Sequence, residues 1–249
     1  MWKHAYLQFR RWLQSVATQL KTPAQRKFDW LAESIGKGNL EFLRLYLSKG
    51  GDPNLGSMDQ YPLISVAVNY HNVEAVKELL GCGAVAACHD ENGWGKWNEL
   101  ANSAFNGYAD IVSILLQHGV PVDTNWMSST TALHEACMMR CGADCPAWDY
   151  DDEVGSPAET ARFVETARIL VQAGADVNAV CEDWPGPDVE YTPLHFAVEA
   201  ECLELVTLLI ANDADTGATS SEGRTALDLA RERNASNIIE FLEALDANL

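Results

Sequence analysis

The sequence predicts an all-α repeat solenoid of about six stacked helix pairs, with hairpin loops between the pairs and an N-terminal helical extension. Short apolar segments with helical spacing recur at a nearly constant interval along the 249 residues, and most are followed by a glycine-containing turn. Hydrophobic residues make up 47% of the chain and charged residues 21%, which is ordinary usage for a protein with a buried core. The recurrence therefore predicts a repeat architecture.

A short motif opens each unit. It is clearest in YTPLHFAV from Tyr191, RTALDLAR from Arg224 and TTALHEAC from Thr130. An apolar segment such as Leu203–Ile210 follows each motif and has the period of a helix. A helix pair this short cannot hide its own apolar face, so neighbouring pairs must stack to form a core.

The motif resembles the ankyrin repeat, whose signature is T-P-L-H-x-A and whose period is about 33 residues. Glycine follows the second helix in four of the five turns between units, where it supplies a left-handed backbone; the turn at 212–215 lacks it. Aligned on the first residue of the signature, six units begin at Asp29, Pro62, Asn98, Thr131, Thr192 and Thr225. Their spacing matches the ankyrin period closely, except that the interval from Thr131 to Thr192 is almost twice as long as the others.

This long interval contains two insertions. One lies near residues 139–160, between the two helices of the fourth unit, and the other lengthens the hairpin loop at residues 180–191. Insertions in repeat proteins often map to functional loops, and the hairpin carries aromatic and acidic residues that would extend a binding surface. The alternative is a tolerated surface loop, because long loops cost little additional entropy.

We place the ankyrin-repeat domain at residues 28–249 and a basic amphipathic helix with its linker at residues 1–27. Thr22-Pro23 is expected to break that helix before the first unit. The helix would cap the exposed core of the first unit, or alternatively lie on a membrane surface through residues 1–20. Its apolar stripe consists of Trp2, Tyr6, Phe9, Leu13, Val16 and Leu20.

Charge is distributed unevenly along the chain. The formal net charge is −19, and residues 1–27 hold six basic residues and no acid, so residues 28–249 carry −25. An acidic body of this size repels nucleic acid and attracts a partner with a basic surface. Arg10 and Arg11 interrupt the stretch where a secretory signal would need its apolar core, and the seven cysteines show no disulfide framework. We therefore expect a cytoplasmic protein that is monomeric on its own.

The chemistry-bearing residues predict neither an enzyme nor a bound metal or cofactor. The resemblance implies that His134 and His195 make structural hydrogen bonds between adjacent loops. A metal- or thiol-dependent enzyme centred on Cys137–Cys145 is the alternative, because His134, Cys137, Cys141 and Cys145 have metal-like spacing. Gly142 and Pro146 would break the helix that such a site needs, which favours isolated thiols.

The resemblance also implies where a partner would bind. In ankyrin-repeat proteins the residue before the signature threonine, and those seven and eight after it, face a concave surface. Aromatic and methionine side chains, which are enriched at interfaces, occupy several of these positions. We therefore predict a protein-binding scaffold, adaptor or inhibitor. Its predicted partner-binding residues are Tyr61, Tyr70, Trp94, Trp97, Phe105, Trp126, Met138, Met139, Asp183, Trp184, Asp188, Glu190, Tyr191 and Glu199.

Overall fold

Helices dominate the structure, a computed structural model that describes residues 22–56, 61–89, 95–125, 129–139, 157–181 and 190–246. Strands β1 (Ala87–His89) and β2 (Gly95–Asn98) pair antiparallel in a hairpin. The helices in these ranges are α1 (Pro23–Gly36), α2 (Glu41–Ser48), α3 (Leu63–Asn69), α4 (Val73–Gly81), α5 (Glu99–Phe105), α6 (Ala109–Gln117), α7 (Ala132–Met138), α8 (Pro157–Gln172), α9 (Pro193–Glu199), α10 (Leu203–Ile210), α11 (Ala226–Arg233) and α12 (Ser236–Asp246).

The helices are arranged as successive pairs in two compact units, with the division between Ala84 and Val85. In the first unit, α1 packs against α3, and each of them packs against its own second helix, α2 or α4. In the second unit, α5, α7, α9 and α11 pack in series, and α6, α8, α10 and α12 form a second layer. This order confirms the predicted all-α repeat fold.

Stacking buries the apolar face of each first helix. In α3, Leu63, Ile64, Ala67 and Val68 are all completely buried. Burial of one large apolar side chain contributes roughly 1.5–3 kcal/mol, so a few such positions per helix hold neighbouring pairs together. No helix in the described ranges is long and apolar enough to cross a membrane.

The turns after the second helices have the predicted left-handed backbone. Gly50, Gly83, Gly119 and Gly174 have φ angles of +76°, +89°, +80° and +88°. The last turn has no glycine, and Asp213 takes its place with a φ of +67°. Aspartate tolerates this conformation better than most residues because its short polar side chain can hydrogen-bond locally.

The two signature histidines join neighbouring repeats. The backbone N–H of Thr131 donates to His134 Nδ1 at 3.1 Å, and His134 Nε2 lies 3.0 Å from the carbonyl oxygen of Ala179. His195 repeats the arrangement, with 3.1 Å to the N–H of Thr192 and 3.3 Å to the carbonyl of Arg224. Because Nδ1 accepts a hydrogen bond, Nε2 carries the ring hydrogen and donates a hydrogen bond to the carbonyl oxygen. The predicted structural role of both histidines is confirmed.

Repeat three lacks the histidine, and Asn98 makes the equivalent connection. Its Oδ1 accepts from the backbone N–H groups of Leu100 and Ala101, each at 3.1 Å, and so caps α5. Its Nδ2 donates to the carbonyl oxygen of Thr124 at 2.8 Å. One asparagine therefore provides both the helix cap and the link to the following loop.

Two helices begin earlier than the repeat pattern indicates. Residues 23–27, expected to be a linker, form the first turns of α1, because Thr22 and Gln25 make a capping box with bonds of 2.8 and 3.2 Å. Residues 157–160, assigned to the first insertion, begin α8, where Pro157 suits the first helical turn. The rest of that insertion beyond Met139 lies outside the described residues. In the second insertion, Cys181 and Tyr191 exchange backbone hydrogen bonds of 2.9 and 3.2 Å.

The C-terminal helix covers one end of the core, as predicted for a terminal repeat. On α12, Ile238 and Leu242 are buried, whereas Glu240 and Glu243 are exposed. A polar outer face is what a solenoid end requires in water.

We expect Asn98→Ala to lower the free energy of unfolding by about 1–3 kcal/mol, because it removes both the cap and the link to Thr124. Asn98→Thr retains a capping oxygen but has no amide to reach Thr124, so its stability should be intermediate. Urea unfolding followed by circular dichroism measures both variants. Equal stabilities of wild type and Asn98→Thr would show that the amide bond to Thr124 contributes nothing.

Candidate protein-binding surface

Two tyrosines predicted to contact a partner are exposed at opposite ends of α3. Tyr61 precedes this helix and is 55% exposed, and Tyr70 follows it and is 64% exposed. The ring of Tyr70 lies against Gly36 so closely that a Cβ there would be 2.9 Å from it. The glycine therefore lets one face of the ring rest on the end of α1 while the other faces outwards. We call Tyr61 and Tyr70 the tyrosine pair.

In the second unit, the predicted surface residues differ in exposure. Phe105 and Met139 are half-buried, and Glu190 is exposed. Met139 ends α7 with a left-handed backbone, φ +46°. These three side chains lie at predicted partner-binding positions and are at least partly accessible.

Tyr191 and Met138, both predicted to contact a partner, have buried side chains. Tyr191 is only 3% exposed and Met138 only 5%. The Tyr191 ring stacks on His195 with centroids 5.2 Å apart and meets Phe196 edge-on at 5.3 Å. Burial occurs because the hairpin bridge to Cys181 places Tyr191 over the start of α9. This residue supports the fold instead of presenting an aromatic surface.

Glu199 is accessible only in part, because its side chain is 16% exposed and pairs with Arg233. Arg224 pairs in turn with Glu222 and with Glu232, the latter at 3.0 Å. The predicted carboxylate at position 199 is thus compensated within the chain.

The side chains of six further predicted contact residues lie outside the described part of the structure. The backbone of Trp97 lies in β2, opposite Cys88, but its side chain is outside the described part of the structure. The others lie wholly outside the described residues: Trp94, Trp126, Asp183, Trp184 and Asp188.

Cys137, the described member of the proposed cysteine site, is a poor nucleophile. Its side chain is completely buried, and burial raises the pKa of its thiol far above the ordinary value. Within the described ranges, no cluster of three or more His, Cys, Asp or Glu residues could hold a metal ion. Cys141 and Cys145 lie outside these ranges.

A buried carboxyl group, which sequence reasoning did not single out, follows His134. Glu135 is 6% exposed, and burial raises its pKa to about 7 although Thr130 Oγ1 donates to it at 2.8 Å. Burial has the opposite effect on His134, whose pKa falls to about 4. Both neighbours therefore favour their uncharged forms, as a low-dielectric interior requires.

Comparisons with known proteins agree with the geometry. A family model described as ankyrin repeats, three copies, matches residues 64–145 and residues 158–249. The chain is 31% identical to ankyrin repeat and SOCS box protein 11 of Danio rerio over 141 residues, which cover 57% of this chain and 38% of that protein. It is 29% identical to the nuclear factor NF-kappa-B p105 subunit of Gallus gallus over 194 residues, which cover 76% and 16%.

A further relative is ankyrin repeat and SOCS box protein 16 of Homo sapiens, 31% identical over 143 residues that cover 53% of this chain and 30% of that protein. The chain therefore spans less than two fifths of the length of each of these relatives.

The contrast between buried Tyr191 and exposed Tyr70 predicts different responses to truncation. Tyr191→Ala should lower the free energy of unfolding by roughly 3 kcal/mol or more, because it removes a buried aromatic ring. Tyr70→Ala should cost less than about 1 kcal/mol, because most of its ring is already in water. Urea unfolding distinguishes the two. Similar losses for both variants would contradict this assignment of core and surface.

Glu135 should make stability depend on pH. The unfolded chain releases this proton near pH 4.5, whereas the folded chain keeps it until about pH 7. The contribution favours folding at low pH and is lost as the pH rises through about 7. The glutamine of Glu135→Gln stays neutral at every pH. The free energy of unfolding of this variant, relative to that of wild type, should therefore rise by roughly 2 kcal/mol between pH 5.5 and pH 8.

Urea unfolding at the two pH values measures this gain. Burial shifts the pKa of His134 in the opposite direction, but His134 is present in both wild type and variant, so the comparison isolates Glu135. Glu240→Gln removes an exposed carboxylate from α12 and serves as the matched control, with no comparable gain expected. A pH-independent difference between wild type and Glu135→Gln would contradict the raised pKa.

Proposed function

Because this chain belongs to the ankyrin-repeat family, we propose that it binds another protein through side chains at the ends of its first helices. Proteins of this family generally mediate protein–protein interactions. The chain would then act as a scaffold, an adaptor or an inhibitor of its partner.

The exposure of the tyrosine pair is the observation that carries this proposal. Every large apolar side chain in α3 that faces the core is buried, whereas the aromatic residues flanking the helix are more than half exposed. An exposed tyrosine contributes little to folding but offers a large, stiff contact area and a polar hydroxyl to a partner. Family membership supports the same surface, because related repeats bind through these positions.

The charge of the chain supports a partner with a basic surface. Residues 28–249 carry a net charge of −25, counted from the sequence. Among the described carboxylates near the predicted surface, Glu190 is exposed, although Glu199 is compensated by Arg233. Long-range attraction of this kind accelerates encounter with a cationic protein more than it strengthens the final complex.

We also propose a reducing, cytoplasmic location, because the seven cysteines show no disulfide framework. Cys137, Cys181 and Cys202 are free and buried, and burial raises the pKa of each thiol. Protonated thiols that water cannot reach are inert and pack as small apolar groups.

The experiment starts from affinity capture of a partner on the wild-type chain, followed by binding kinetics with the purified partner. Tyr70→Ala and Tyr61→Ala should each weaken binding about tenfold or more without lowering the melting temperature by more than a few degrees. Raising the salt concentration should slow association while changing dissociation little. Leu45→Ala, which truncates a 51% exposed side chain on the second helix α2, is the matched control and should leave affinity unchanged.

Unchanged affinity in both tyrosine variants would overturn the proposed surface. Binding to anionic vesicles in place of any protein would overturn the proposed function itself.

A further inference from the structure

The first repeat has an exposed apolar cleft between α1 and α2. The cleft has a volume of about 580 Å³, and its walls include Trp30, Phe42, Leu45 and Tyr46. Trp30 is 48% exposed, Phe42 39% and Leu45 51%, and the Trp30 and Phe42 rings lie 4.2 Å apart between centroids. Three large apolar side chains therefore meet water at one place.

The position of these residues within the repeat explains their exposure. One repeat period after Trp30, Phe42 and Tyr46, the second repeat has Leu63, Ala75 and Leu79. All three of those later side chains are completely buried. Trp30, Phe42 and Tyr46 therefore occupy core positions, and no repeat within the described residues covers their outer side.

The last repeat differs from the first in the polarity of its outer face. The last helix, α12, turns the charged residues Glu240 and Glu243 outwards and keeps Ile238 and Leu242 inside. Within the described residues, the last repeat therefore has a polar outer face, whereas the outer face of the first repeat is aromatic. The start needs a separate cover.

We propose that residues 2–20 of this same chain occupy the cleft as an intramolecular cap. Their sequence carries an apolar stripe with helical spacing, from Trp2 through Phe9 and Leu13 to Leu20. As a helix, this segment would extend about 28 Å, which is ample to cross a cleft bounded by two helices. This apolar stripe would cover the exposed core positions of the first repeat.

Connectivity favours this occupant over any other. The segment joins directly to α1, whose Lys27 and Trp30 line the cleft. A short tether gives an attached segment an effective concentration in the millimolar range. Neither a membrane nor a second copy of the chain has that advantage.

Charge is compatible with the same arrangement. The cleft rim is mixed, with Lys27, Lys49 and Asp52. Lys3, Arg10 and Arg11 lie off the apolar stripe, so a docked helix would turn them away from the two rim lysines. Residues 28–249 carry −25, which attracts this basic segment at longer range.

Hydrogen exchange on the full-length chain tests the proposal. Amides of residues 2–20 should exchange at least tenfold more slowly than unstructured amides. Leu45→Asp, in the cleft, and Leu13→Asp, on the stripe, should each abolish that protection. The matched controls are Ser48→Asp on α2 and Thr18→Asp on the opposite side of the predicted N-terminal helix, and both should retain it.

The same exchange data show whether the Leu45→Asp chain is still folded. Leu45 is already half exposed, so Leu45→Asp should leave protection of α3 and α4 in place, which the same exchange data report. A photoreactive benzoylphenylalanine replacing Leu13 should cross-link within one chain to residues 41–52, and the same probe replacing Thr18 should not.

Three results would overturn the proposal. One is exchange of residues 2–20 at unprotected rates in the wild-type chain. Another is protection, or cross-linking, that rises with protein concentration and joins two chains. The third is protection that arises only when phosphatidylserine vesicles are added. None of these results bears on the tyrosine pair, so a failed cap and a failed partner surface can be told apart.

Discussion

A helix of seven or eight residues cannot bury an apolar face against its partner helix alone, and the rest of the molecule depends on that constraint. A pair needs a neighbouring pair against its apolar face, and in the first unit Leu63, Ala75 and Leu79 are completely buried. The hydrogen bonds of His134, His195 and Asn98 follow from the same requirement, because each fixes the spacing between successive loops. Apolar stacking supplies the stability, and these polar links set the register.

Much of the fold could be predicted because the repeat is a local pattern written directly in the residues. Thr131 and Thr192 mark helix starts, and Gly50 and Gly174 mark helix ends. The positions of these helices can therefore be predicted without knowledge of long-range contacts. The role of Asn98 was harder to predict, because this one residue does the work of a threonine and a histidine that lie three positions apart in other repeats. The start of α1 was also hard to predict, because Thr22 and Gln25 form a capping box that belongs to no repeat signature.

The binding surface was harder to predict than the fold. Position within a repeat indicates the direction of a side chain, but its exposure depends on what the neighbouring loop does. Tyr70 packs on Gly36 and stays 64% exposed, whereas Tyr191 is buried because a hairpin bridge holds it over His195. Both tyrosines occupy equally suggestive places in the sequence. Contacts that lie outside the repeat signature, such as the hairpin bridge to Cys181, therefore distinguish the buried aromatic residue from the exposed one.

The strict succession of helix contacts has a consequence for synthesis of the protein. Each helix packs chiefly against its own partner and the adjacent repeat, so no early segment must wait for a distant one before it can fold. At ordinary translation rates of about 5–20 residues per second, one repeat is made in roughly 2–7 s, far longer than short helices need to form. Within each unit, the helices can therefore fold in order as the chain leaves the ribosome, each new repeat packing on the one made before it.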